Sequence, residues 1–199
     1  MGSGPTLIDH ATSYCDGLST AVPCAWATPE ETAENIAAVR EILERKGRDP
    51  GAFRFGMFCP ALIHEDENVL DAALDNQIVR WIGATFGRIQ RDAWTKAGLE
   101  PPTPEGWAYY AKFLPQNTDD ALVGEILSKT TRAHVEAGYL WGTPEQVAEK
   151  LAAYVDAGIS FVGPADYLPV VGDPADAQRA TERGIECLGA LKKATAAQL

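Results

Sequence analysis

The chain has 199 residues, 46% hydrophobic and 23% charged, a balance that builds a globular core with no disulfide or metal needed for stability. Its 28 acidic and 17 basic residues give a formal charge of −11, which repels phosphate and sets aside nucleic acid and anionic membrane as partners. No run reaches the roughly 18–20 apolar residues of a membrane span, and no basic flank or apolar stretch of a secretory signal opens the chain, so a cytoplasmic location is expected.

The opening MGSGPTLIDHATSYCDG puts a turn, Gly2-Ser3-Gly4-Pro5, ahead of a helix. Pro5 suits a first helical position, Leu7, Ile8, Ala11 and Tyr14 recur at helical spacing, and Asp16-Gly17 stops the helix. Residues 18–22 read as a short strand ended by Pro23. In TPEETAENIAAVREILERKGRDP, Thr28 is an N-cap, Glu31 completes a capping box, and Ile36, Val39 and Leu43 share a buried face. Gly47 and Pro50 end that helix. Phe53, Phe55, Met57 and Cys59 alternate with Arg54, Gly56 and Phe58, the pattern of a strand.

From Asp66 the spacing predicts one long helix, with Leu70, Leu74, Ile78 and Ile82 stepping by four. Pro101, Pro102 and Pro104 interrupt the next stretch, yet WAYYAKFLP and ALVGEILSKTTRAHVEAGYL look helical. Residues from about 88 to 140 are therefore expected to form a helix-rich insertion within a single domain, carrying specificity or an interface. GTPEQVAEKLAAYVDAG restores the earlier pattern, with Thr143 as N-cap and Gln146 closing the box. A strand at 159–163 and a last helix over about 175–194 complete the chain.

TPEETAENIAAVR and TPEQVAEKLAAYV echo one another, and each opens a helix that feeds an apolar strand. Repeated helix-to-strand units imply parallel strands with helices outside. Three strands and the stub of a fourth at Met1 make half of the eight that close such a barrel. The expected fold class is α/β, a half of a TIM (β/α)8 barrel.

Small residues ahead of a helix let backbone approach an anion, so Gly2-Ser3-Gly4 is a candidate site. Barrel sites gather at the C-terminal ends of strands, which points to residues 60–64 and 164–167. Asp166 and Tyr167 sit where a substrate or coenzyme ring meets the protein, although Asp166 equally suits a turn cap. Trp26 suits a pocket wall or the core. His64 begins HEDEN, which lacks the second histidine of a zinc motif and reads as an exposed loop residue. Cys15, Cys24, Cys59 and Cys187 form no C-x-x-C pair and read as free thiols. No metal site is expected.

These motifs together resemble the C-terminal half, strands five to eight, of the bacterial-luciferase-like superfamily of (β/α)8 oxidoreductases. GSGPTLIDHATSYCDGL is similar to its segment after strand five, RKGRDP to its AGRDP before strand seven, and GTPEQVAEKLAAYVDAGISFV to its helix before strand eight. The branch using the deazaflavin coenzyme F-420, and within it the phthiodiolone ketoreductase subgroup, is the most similar. The resemblance implies hydride transfer between coenzyme F-420 and a carbonyl/alcohol pair, with an FMN-dependent monooxygenase as the alternative coenzyme reading. It implies that Ser3, Gly4, Thr6 and Leu7 contact the coenzyme tail. Cys24 stands where sugar-phosphate enzymes of the family carry a lysine, which implies an apolar or keto substrate walled by Cys24, Trp26, Asp166 and Tyr167. The family's acid and base lie in the N-terminal half, so no catalytic residue is assigned. On this reading four βα units are missing before Met1. A non-catalytic half-barrel that associates with itself, or with an N-terminal half-barrel partner, is the other expectation.

Overall fold

The computed structural model describes residues 3–112 and 114–196. In chain order the elements are α1 (Pro5–Tyr14), β1 (Gly17–Ala21), α2 (Pro29–Arg45), β2 (Arg54–Ile63), α3 (Glu67–Asp75), α4 (Gln77–Phe86), α5 (Arg91–Lys96) and α6 (Tyr109–Lys112). A 3-10 turn (Pro115–Asn117) leads to α7 (Asp120–Lys129), α8 (Arg132–Gly138), β3 (Leu140–Gly142), α9 (Pro144–Asp156), β4 (Phe161–Asp166), α10 (Leu168–Val171), α11 (Pro174–Ala177) and α12 (Ala180–Thr195). The strand stub expected at Met1 lies outside the described residues.

All four strands are parallel, and every pairing involves β2. Successive residues of a strand bond to opposite edges. On one edge Val22 donates its amide to the Phe58 carbonyl, and His64 donates to that of Gly142. On the other, Ser160 and Tyr167 donate to Phe55 and Ala61. So β1 and then β3 share one edge, and β4 takes the other. Pairing with β1 stops at Phe58 and pairing with β3 starts at Ala61. Pro60, which has no amide to donate, falls in that gap, where its lack costs no ladder bond.

Side chains of β2 alternate in the same way. Phe55, Met57, Cys59, Ala61 and Ile63 enter a core with Ile36, Val39 and Leu43 of α2, Val147 and Leu151 of α9, and Cys187 and Leu191 of α12. Burying each Phe, Met, Ile, Val or Leu side chain here is worth about 1.5–3 kcal/mol. Leu62 points the other way, into a second core with α3, α4, α7 and α8. Phe58 and Phe161 also face away from the helices and remain 43% and 56% exposed. Their rings meet edge to face, 5.7 Å apart. Each lies across a glycine: a Cβ on Gly163 would fall 2.7 Å from the Phe58 ring.

Several expectations change: the last helix is split into α11 and α12, the strand expected at 159–163 runs over Phe161–Asp166, and two helix starts differ. The helix from Asp66 breaks at Asn76, whose extended backbone ends α3 and whose side chain accepts the Ile78 amide to start α4. The break rotates the register, so Val79, Trp81 and Ile82 are buried while Ile78 is 49% exposed. The box of α9 forms fully, but in α2 the Glu31 carboxylate reaches one residue further back, accepting the Ala27 amide at 3.0 Å. Along the C-terminal half of α1, the Lys46 ammonium lies 2.7–2.9 Å from four oxygens, the Asp9 carboxylate and carbonyl and the hydroxyls of Thr12 and Ser13, among which its three N–H groups are shared. No helix among the described residues is long and apolar enough to cross a membrane.

The C-terminal helix is pinned by Arg183, which is fully buried and grips Asp176 through two bonds of 2.9 and 2.8 Å. These bonds, before any other influence, hold the Asp176 carboxyl below its usual range. Asp176→Asn leaves a buried cation without its carboxylate, and urea unfolding is expected to show a loss of about 2 kcal/mol or more. Because the folded carboxyl is the stronger acid, its contribution is complete above about pH 4 and fades as pH falls further; the variant lacks that part of the acid profile.

Candidate functional site

Parallel strands and returning helices bring one set of loops to a common rim. Asp16, just after α1, accepts the amide of Arg54 at the start of β2. The foot of α1 is therefore beside the strand starts, and its first turn, an antiparallel helix length away, is at the strand ends. Residues 3–7, Pro23 to Trp26, His64, and Asp166 to Tyr167 all lie at this end.

The first turn of α1 is open. Gly4 is the N-cap without a side-chain cap, and Pro5 carries no amide. The amides of Thr6 and Leu7 have no partner among the described residues, and Ile8 bonds back to Gly4. By contrast Thr28, Asp66, Asn76, Asp119 and Thr143 each cap their helices with a side chain. A Cβ built on Gly4 would touch nothing within 4 Å. Gly4 and Thr6 are exposed, Ser3 and Leu7 half-buried. Free amides at the positive end of a helix, with open space ahead, fit an anionic or strongly polar tail.

Cys24 and Trp26 are only 1% and 2% exposed, so their side chains belong to the core behind the rim. Burial pushes the Cys24 thiol up to about 12, with Arg88 beside it opposing the shift. Tyr167 is half-buried, its ring 5.8 Å from that of Tyr139, and its hydroxyl is pushed up by burial and then by Cys24. Cys24 and Tyr167, from opposite edges of β2, thus converge over its end. Asp166 behaves as a cap: Oδ1 accepts the amides of Leu168 at 3.1 Å and Ile63 at 3.4 Å. Its Oδ2 is buried without a partner, and burial raises the carboxyl.

His64 departs from the exposed loop residue expected, being 8% exposed. Nδ1 accepts the Asp66 amide at 2.9 Å, which puts the proton on Nε2, 3.3 Å from Asp176 Oδ2. Both ring nitrogens are engaged, so His64 ties the end of β2 to α11 and leaves none for a substrate proton. The sequence carried no sign of this, because Asp176 lies 112 positions away.

Two clefts complete the picture. One of about 320 Å³ lies between α4, α7 and the 3-10 turn, lined by Ile78, Trp81, Ile82, Leu114, Val123 and Leu127. A larger one of about 820 Å³ opens between Arg54, Ser160 and α12, at the strand starts and so away from the rim.

A parallel sheet wrapped by helices, with its polar features gathered where the strands end, defines a (β/α)-barrel protein of which this chain forms a half. The sequence profile of the luciferase-like monooxygenase family matches residues 1–160, and the chain belongs to that family. It is similar to the phthiodiolone/phenolphthiodiolone dimycocerosates ketoreductase of Mycobacterium kansasii, 25% identical over 80% of this chain and 42% of the relative. The Mycobacterium tuberculosis (strain H37Rv) protein of the same description is 23% identical over 80% and 40%. The chain thus spans about two-fifths of the length of these relatives. Among solved structures, the coenzyme F-420-dependent tetrahydromethanopterin reductase of Methanopyrus kandleri superposes with a TM-score of 0.58 at 17% identity, over 83% of this chain and 44% of that one. Riboflavin lyase, solved with modified FMN and riboflavin, gives 0.53 at 15% identity, over 96% and 42%. Both likenesses concern the fold.

Burial makes a direct prediction for the thiols. Cys15 is exposed, whereas Cys24, Cys59 and Cys187 are buried. Iodoacetamide at pH 8 is expected to label Cys15 alone in the native chain and all four cysteines after denaturation, counted by mass spectrometry.

Proposed function

We propose that this chain is the coenzyme-tail-binding half of a luciferase-like oxidoreductase, working in the cytoplasm on a carbonyl/alcohol substrate with coenzyme F-420, FMN being the alternative. The observation that carries the reading is the uncapped first turn of α1, at the same rim as the strand ends. When bound, the deazaflavin supplies hydride chemistry. The protein's part is to hold and orient. Thr6 and Leu7 donate their amides to the tail, Gly4 keeps the approach clear, and Ser3 adds a hydroxyl. Tyr167 and the apolar shell about Cys24 keep water from the reacting end. The cleft on α4 and α7 suits the hydrocarbon part of an apolar keto substrate. The helices from about 88 to 140 act as an insertion that shapes this side of the pocket.

Gly4→Leu tests the reading. Its backbone lies in the extended region and its Cβ direction is empty, so the change brings no clash and should cost only about 1 kcal/mol, the N-cap preference for glycine over leucine. Fluorescence titration with coenzyme F-420 and with FMN, on the chain alone and mixed with an N-terminal half-barrel of the family, should show binding weakened about tenfold or more by the variant. Failure of either sample to bind either coenzyme refutes the proposal.

The exposed face of Phe58 and Phe161 favours a second reading, in which association is the chain's role. Barrel interiors are normally filled by side chains, so this face and the outer edge of β4 call for a cover. Light scattering should find the chain self-associated or, when supplied, bound to an N-terminal half. The double variant Phe58→Ser with Phe161→Ser should shift it toward monomer. A wild-type chain that stays monomeric at high concentration and ignores such a half contradicts this.

A further inference from the structure

A cavity of about 200 Å³ lies against the rim, between the end of α4, the start of α5 and residues 103–107. Its walls include Arg88, Arg91, Trp94 and Trp107 and no acidic side chain, in a protein of formal charge −11. Of the neighbouring acids, Asp92 pairs with Lys96 at 2.9 Å, Glu31 accepts the Ala27 amide and lines, with Glu30 and Glu34, a second cleft that Arg88 shares, and Glu105 is exposed between two lining residues without lining the cavity itself.

Arg88 is fixed from behind. Its Nη1 donates to the carbonyls of Pro23 and Gly87, both at 2.9 Å, and the next residue, Ile89, donates its amide to the Cys24 carbonyl at 2.8 Å. The Trp94 ring centre lies 5.8 Å from the guanidinium carbon. These contacts hold the cation at the end of β1. Its Nε is buried without a partner, and its Nη2 has no hydrogen bond among the described residues. The Trp107 indole N–H is likewise buried and unpartnered. Arg91 gives Nη1 to the Thr103 carbonyl and pairs with no carboxylate among the described residues.

Guanidinium and indole N–H groups only donate, and a buried donor without an acceptor costs about 1–3 kcal/mol. The group that best answers the remaining N–H donors of two guanidiniums and an indole in a small space is an oxyanion. We infer that this cavity is an oxyanion subsite that receives the phosphate or carboxylate of a small molecule bound over the rim. Calling that molecule the substrate rests on the function proposed above and gives the keto compound an acidic end; the affinity for an oxyanion stands without it. The volume accepts one such group and no whole coenzyme.

Trp94 and Trp107 make the site visible by fluorescence. The full chain is titrated with sodium phosphate and, separately, with succinate at constant ionic strength. Saturable quenching or enhancement is expected with one of them. Saturation by phosphate alone marks a phosphoester end, and by succinate alone a carboxylic acid. Arg91→Gln and Trp107→Phe should each weaken binding about tenfold with unchanged circular dichroism and melting temperature. Arg88→Gln should abolish it; should that variant misfold, the other two carry the test. No saturation by either anion up to several tens of millimolar overturns the inference, since the donors then serve water alone. Saturation untouched by Arg91→Gln and Trp107→Phe overturns it equally. Coenzyme binding, measured separately, is independent of every one of these results.

Discussion

Among the described residues every inter-strand pairing passes through β2. Of the four strands there, it alone has both edges paired, and its alternating residues divide the molecule into two cores. Residues 55, 57, 59, 61 and 63 face the long helices, while Leu62 anchors the shorter helices of the middle of the chain. Sharing one edge between β1 and β3 is possible because Pro60 sits at the handover. The ends of β1, β2 and β4 meet at one rim because all three run in the same direction from a common line of starts.

That rim carries two kinds of chemistry on separate elements. Helix amides without a partner among the described residues lie at one side, at the start of α1, where local backbone geometry alone creates the polarity. Arginine and indole donors lie at the other, on the loop after α4 and beyond. Between them the wall is aromatic and apolar, with Tyr139 and Tyr167 packed edge to face and the Cys24 thiol kept neutral. A ligand with polar extremities and an uncharged middle matches that sequence of surfaces.

Much of this was legible in the sequence. Capping residues and apolar periodicity marked α1, α2 and α9, and alternation marked β2, because these signals are local. The resemblance to a luciferase-like half-barrel rested on several short motifs in the right order. What stayed hidden depends on distant pairs. The ion pair of Arg183 with Asp176 and the seat of His64 require α11 and α12 to fold over β2. The break at Asn76 was masked by a four-residue apolar step that runs through it, since Asn serves as well on a helix surface as at a cap. Three-residue β3 is too short for any period to show. Arg88 lay in a proline-interrupted stretch with no pattern, and only its tether to Pro23 brings it to the rim.

The clamp of Lys46 on α1 has a mechanical meaning. One ammonium group holds the C-terminal half of the helix, while the first-turn amides of Thr6 and Leu7 stand about 9 Å beyond Thr12 and Ser13. The helix is a lever with its fulcrum at the base of the sheet. A tilt of about 10° at that fulcrum would swing the tip by about 1.5 Å, roughly half the length of a hydrogen bond. Aim at the upper end is therefore set at the lower one, by residues that no ligand touches.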